Sequence, residues 1–150
     1  MSFNYSLSMS SAQLPAAAFQ TISTLPGFEA VAEDVAFGPG VTATVAAADE
    51  EDKEYALEHE GFEPTLDVLL VEDHKGVSGE VATKNIVRAV VALLHYADGD
   101  AVLRYNNETL LLRLHENDLI LNTNSEFWEW YPQLLHLVNL PYRMAALSSK

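Results

Sequence analysis

The chain has no cysteine, which rules out disulfides and thiolate metal sites and fits a reducing compartment. Basic residues are scarce: eight Lys and Arg stand against twenty-two Asp and Glu, for a formal net charge of −14. Phosphate backbones are held by clustered Lys and Arg, so direct nucleic-acid binding is disfavoured. Long apolar runs are missing as well. The longest, Ala89 to Leu94, is far short of the ~20 residues a membrane helix needs. No basic residue precedes Lys53, and "LPAAAF" is too short and too weakly apolar for the core of a secretory signal. These absences together lead to the expectation of a cytoplasmic protein that meets neither nucleic acid nor membrane.

What is present is an ordinary globular composition, 49% apolar over 150 residues. That is enough to bury a core without staples, and a single domain spanning 1–150 is expected. The acidity is regional. Residues 29–80 hold fifteen acidic and two basic residues, and the rest of the chain is nearly balanced. Solubility alone does not require such concentration, and an acidic patch favours basic partners and speeds their encounter.

Periodicity suggests the elements. "SFNYSLSMS" alternates Phe3, Tyr5, Leu7 and Met9 with polar residues, as a half-buried strand does. Ser10 or Ser11 offers an N-cap to a helix with Leu14, Ala18 and Ile22 on one face, ended by Pro26-Gly27. "FEAVAEDVAF" and "VTATVAAAD" read as two strands around Gly38-Pro39-Gly40. A short exposed helix is expected from Asp49 to Glu60, stopped by Gly61. "TLDVLLVED" reads as a buried strand, and Glu80 to Ala97 as a long core helix. "DAVLRYN", "ETLLLRL" and "DLILN" follow as a meander with short connections. The remaining "SEFWEWYPQLLHLVNLPYRMAAL" is helical in part and broken at Pro132 and Pro141. The fold class is α+β, with a mostly antiparallel sheet, a long central helix and a C-terminal three-strand meander.

Signatures of chemistry are lacking. "DGDAVLRYNNET" starts like a calcium loop at Asp98 and Asp100, but Val102 and Leu103 occupy the ligand and glycine positions and Thr109 the closing position. His59, His74, His95, His115 and His136 stand singly, without metal-ligand spacing. "GVSG" lacks the second glycine of a nucleophile elbow. Neither an enzymatic role nor a cofactor is expected.

Two features remain. Asp49, Glu50, Glu51, Asp52, Glu54, Glu58 and Glu60 crowd into twelve residues beside the single Lys53. They read as a solvated helix or as a landing site for a basic partner, and only weakly as a cation site. "EFWEWYPQ" supplies Phe127, Trp128, Trp130 and Tyr131. Phe127 and Trp128 read as core, while Trp130 and Tyr131 are divided between core and interface anchor.

Nearly the full length of the chain resembles the swarming-inhibition (Sit) immunity proteins of myxobacteria. These are small acidic proteins that neutralise a cognate toxin in the producing cell and its kin. The resemblance is carried by "YSLSMS", the acidic segment running into "GFEPTL", "RAVVALLHYADGDAVLRYNNE", "LILN", the following "FW", and "LVNLPYRMAAL". It implies a stoichiometric inhibitor of a cognate toxin; the acidity of this chain points to a basic toxin, a nuclease for example, and a monomer or homodimer is expected. The residues assigned to toxin binding come from the chain's own reading: the seven carboxylates of 49–60 with Trp130 and Tyr131. The competing readings are a small-ligand or enzymatic domain with a pocket between the long helix and the sheet, and an effector adaptor or chaperone.

Overall fold

A computed structural model describes residues 3–73, 76–97 and 99–147. His74 and Asp98 of the sequence reading lie outside them. The elements in chain order are β1 (Asn4–Met9), α1 (Pro15–Ser23), β2 (Glu29–Ala30), β3 (Val35–Gly38), β4 (Val41–Ala47), α2 (Glu50–Glu60) and β5 (Leu66–Glu72). They continue with α3 (Gly79–Leu94), β6 (Ala101–Tyr105), β7 (Thr109–His115), β8 (Asp118–Asn122), α4 (Phe127–Trp130), a 3-10 turn (Pro132–Leu137) and β9 (Arg143–Ala145). The strands form one sheet in the order β2-β3-β4-β5-β1-β6-β7-β8-β9. Every pairing is antiparallel except β8 with β9. The expected α+β fold with its meander is therefore present.

β1 is the seam. Its alternation sends Tyr5, Leu7 and Met9 to one face and Ser6 and Ser8 to the other. Leu7 is opposed by Val68 on β5 and by Leu103 on β6. The first face is covered by α1 and α3, and the main core fills the space between, Ile86, Val90 and Leu93 of α3 joining Leu7, Leu70 and Leu103 of the sheet in one buried cluster. A smaller cluster on the second face joins Phe62, Val102, Leu110, Ile120 and Leu147.

The "TLLLRL" triplet has a structural reason. Leu103 pairs with Leu112 and Arg104 with Leu110, so Leu111 is an extra residue that bulges from the ladder. The Leu111 carbonyl accepts from the Trp128 indole at 2.9 Å. A buried acceptor next to the irregularity is thereby satisfied, and α4 is pinned to the sheet.

Four boundaries differ from the sequence expectation. α1 begins after Leu14 rather than at Ser10 or Ser11, because Ser11 Oγ accepts from Gln13 N–H (3.1 Å) in a preceding turn. Pro15 then needs no cap at the first helical position. "FEAVAEDVAF" folds back on itself as β2 and β3, with Glu29 opposite Phe37. α3 stops at Leu94, since the chain must reach β6 beside β1, where Ser10 N–H donates to the Asp100 carbonyl at 2.8 Å. β9 was not foreseen. Asn122 Oδ1 accepts from Leu147 N–H at 2.8 Å, and Asn124 Nδ2 donates to Leu147 O at 3.0 Å, stapling the segment that holds β9.

α3 approaches the β3–β4 turn closely. A Cβ on Gly40, whose φ is +80°, would lie 2.6 Å from the Ala82 Cβ. Asn85 is buried on this helix and donates to the Pro39 carbonyl at 2.8 Å, and Arg88 ties Asn85 to the Pro26 carbonyl.

Candidate functional site

The acidic run folds as α2, as its residues dictate. Asp49 caps it, accepting from Asp52 N–H at 2.8 Å, and Glu50, Glu51 and Asp52 oppose the positive end of the helix. Gly61 ends it in the left-handed region, with φ 80°. Asp49, Glu50, Glu51, Asp52, Glu54 and Glu58 are all exposed. Lys53 is half-buried, 3.7 Å from Glu50.

Glu60 does not belong to this exposed face. Its side chain is 6% exposed and forms an ion pair with Arg104 of β6, itself buried. The Arg104 guanidinium also sits 5.6 Å from the centre of the Tyr55 ring. Ala56 is the one buried residue of α2. The helix therefore rides above the second face of the sheet, fastened through Ala56, Tyr55 and Glu60.

Beneath it lies a cleft of about 500 Å³, lined among others by Ser6, Ser8, Asp52, Tyr55, Asp67 and Arg104. Asp67 projects from β5 into this cleft. Ser8 Oγ donates to its Oδ1 at 3.0 Å. Burial, and then a hydrogen bond with the Asp52 carboxyl, push Asp67 up to about 7. Asp52 of α2 thus reaches into the cleft beside Asp67. Asp67 was missed. The signal was the alternation of "TLDVLLVED", which puts Asp67 on the face opposite Leu66 and Val68. Asp67 can hold or release a proton near neutral pH.

The aromatic segment is on the other side. Phe127 and Trp128 are core residues, 6% and 2% exposed. Trp130 is 67% exposed, and Tyr131 is half-buried. Both line a cavity of about 430 Å³ with Phe3, Tyr5, Glu72, Tyr105 and Phe127. Glu72 Oε1 accepts from Tyr5 Oη (3.3 Å) and from Thr83 Oγ1 (3.1 Å). Burial, and then the Glu72 charge, hold the Tyr5 phenol well above the usual tyrosine range. Tyr5 belongs to the first face of the sheet and α2 rides over the second, so the sheet separates Trp130 and Tyr131 from the carboxylates. The anticipated residues form two surfaces, which approach each other at the β6–β7 turn. Asn107 lines one cavity, and Tyr105 and Thr109 line the other.

The other residues singled out from sequence have local roles. Ser78 of "GVSG" caps α3, accepting from Val81 N–H at 3.2 Å. Val102 and Leu103 of the calcium-like stretch are buried in β6. His59 lies over Tyr55 at 4.1 Å, His95 contacts Asn139 at 2.6 Å, and His115 contacts Asp100 at 3.1 Å. Among the described residues no group of three His, Asp or Glu could hold a metal ion. No helix among them is long and apolar enough to cross a membrane.

Compared with known proteins, residues 3–132 match the SitI3-like family. The chain belongs to that family, within the Sit immunity proteins. No curated protein and no solved structure matches it.

Proposed function

We propose that this member of the SitI3-like family is an immunity protein that binds a cognate toxin and neutralises it stoichiometrically, docking through the acidic face of α2. The observation that carries this reading is the group of exposed carboxylates that α2 and its N-cap hold above the sheet, Asp49, Glu50, Glu51, Glu54 and Glu58. Such a face is complementary to a basic toxin domain, for instance a nuclease, and draws it in through a long-range field. An inhibitor of this kind needs a stable scaffold and a fitting surface, and no catalytic group. It acts by covering the toxin's active site or blocking a movement the toxin requires, in the cytoplasm of the cell it protects.

The test starts with growth of a naive host expressing the adjacent open reading frame, with and without this chain. Growth arrest relieved by this chain, with co-purification of the pair, is the expected outcome. A toxin that arrests growth regardless would overturn the proposal. With the pair in hand, reversing Glu50, Glu51, Glu54 and Glu58 to Lys should slow association by roughly 10-fold or more at low salt. The difference should shrink as ionic strength rises. An unchanged association rate removes α2 from the interface. Neutralisation by covering also separates the proposal from a chaperone role, in which the bound partner stays active.

A second reading has its own observation. The cavity of about 430 Å³ combines aromatic walls with Glu72, Thr109, Asn124 and Ser125, the make-up of a ligand pocket.

A further inference from the structure

Positive charge is attracted to aromatic ring faces, most strongly where water is thinned and a carboxylate lies nearby. The cavity beside β1 has this composition. Phe3 stacks on Tyr105 with centroids 6.0 Å apart, and Tyr5 meets Tyr105 edge-on at 5.0 Å. Phe127 stands 6.1 Å from Tyr5 and 5.4 Å from Tyr131, so the walls present rings at several angles. Tyr5, 3% exposed, forms the floor, and Trp130 stands open at the mouth. Glu72 is oriented by its bonds from Tyr5 and Thr83, and Glu126 adds a second carboxylate to the lining. Tyr105, like Tyr5, is held above the usual tyrosine range by burial first and by Glu72 second. The Glu72 charge, second after burial in both shifts, is the part of this environment that favours a cation.

We propose that this cavity seats the guanidinium of an arginine side chain presented by the partner protein. A planar guanidinium can lie on a ring face and donate to a carboxylate at the same time, and it gives up water more readily than an ammonium. The identity of the partner rests on the immunity reading, whereas the chemistry of the pocket does not. A toxin held at the β6–β7 end of the sheet reaches both α2 and this pocket, because both cavities border that turn.

The test uses the full chain, labelled for NMR, and two probes: N-acetyl-arginine methylamide, and its citrulline counterpart, which keeps the shape and drops the charge. Saturable shifts at the Trp130 indole and the Tyr105 and Thr109 amides are expected with the arginine probe. Binding should be about 10-fold or more weaker for the citrulline probe and for Glu72→Gln. Trp130→Ala, at an exposed position, should weaken it several-fold without disturbing the fold, so the result stands even if Glu72→Gln folds poorly. Equal response to the two probes, or shifts confined to α2, would overturn the assignment. Tetramethylammonium binding more tightly than the arginine probe would also overturn it, in favour of a small organic cation. With the toxin, Trp130→Ala and Glu72→Gln should speed dissociation at least roughly 10-fold while barely changing association. Unchanged dissociation alongside intact binding of the arginine probe would overturn the partner as its source. That result is distinct from failure of the immunity reading, which shows as a wild-type chain that does not restore growth.

Discussion

At the scale of single residues, the pairings that fasten α2 were illegible in sequence and set two expectations. Glu60 and Arg104 are buried together, so removing one leaves the other charge stranded. Arg104→Ala should destabilise the protein by about 3–5 kcal/mol, measured by denaturant unfolding. Replacing both, Glu60→Leu with Arg104→Met, should be close to neutral, because the desolvation of both charges is relieved along with their attraction. A double variant as unstable as Arg104→Ala would show that the pair itself is net stabilising. Asp67 gives a pH dependence whose sign is opposite to that of an ordinary salt-bridged carboxylate. Folded, it holds its proton up to about 7, against an ordinary value of 3.8. Between those values the unfolded chain has released the proton and the native protein has not, so stability falls as pH rises through the window and then levels. Thermal unfolding of Asp67→Asn, scanned from acid to neutral pH, should lack this decline. Parallel curves for the two proteins would refute the raised value of Asp67. Asp118 works in the other direction: its bidentate bonds from Arg143, at 2.8 and 2.9 Å, hold its carboxyl below the usual range.

At the scale of elements, legibility followed the strength of local signals. α2 could be bounded almost to the residue because an N-capping aspartate and a left-handed glycine mark its ends. The faces of β1 and α3 followed from apolar periodicity. β9 could not be read, since three residues carry no period and its support comes from Asn122, more than twenty residues earlier. The Asp52–Asp67 contact was hidden for a similar reason. It depends on how α2 crosses the sheet, and with one buried residue facing inward the helix carries almost no pattern to say so. The β7–β8 turn shows a local conflict that the fold tolerates. Glu116 and Asn117 both have positive φ, 51° and 65°, as the two-residue hairpin between His115 and Asp118 demands. Asparagine suits that geometry and glutamate does not. Glu116→Gly should raise stability by roughly 0.5–1 kcal/mol, seen as a higher melting temperature, and a loss of stability would mean that the Glu116 side chain has an unrecognised role.

At the scale of the whole molecule, the sheet is two antiparallel halves sewn together by β1. β2 to β5 lie on one side and β6 to β9 on the other. Leu7, fully buried between Val68 and Leu103, should cost about 2–5 kcal/mol on replacement by Ala. The loss should be shared by both halves. In native-state hydrogen exchange, the amides of β5 and of β6 should open at one common free energy in the wild type and fall together in Leu7→Ala. Separate opening of β6–β8 would show that the meander is an independent unit. The edges of the sheet are short, two residues in β2 and three in β9, which leaves little ladder for unwanted pairing with another chain.

The seam strand is also the earliest of the strands in chain order, and this has a consequence on the ribosome. Its first partner, β5, begins at Leu66 and its second, β6, at Ala101. At ordinary rates of translation, roughly 5–20 residues per second, the tyrosine, leucine and methionine of β1 wait roughly 3–12 s for β5 to be made, and longer for β6. No nascent fragment shorter than about two thirds of the chain contains both neighbours of its own central strand. A chain that stops before β6 can therefore pair β1 with β5 alone and leaves the other edge of its central strand open.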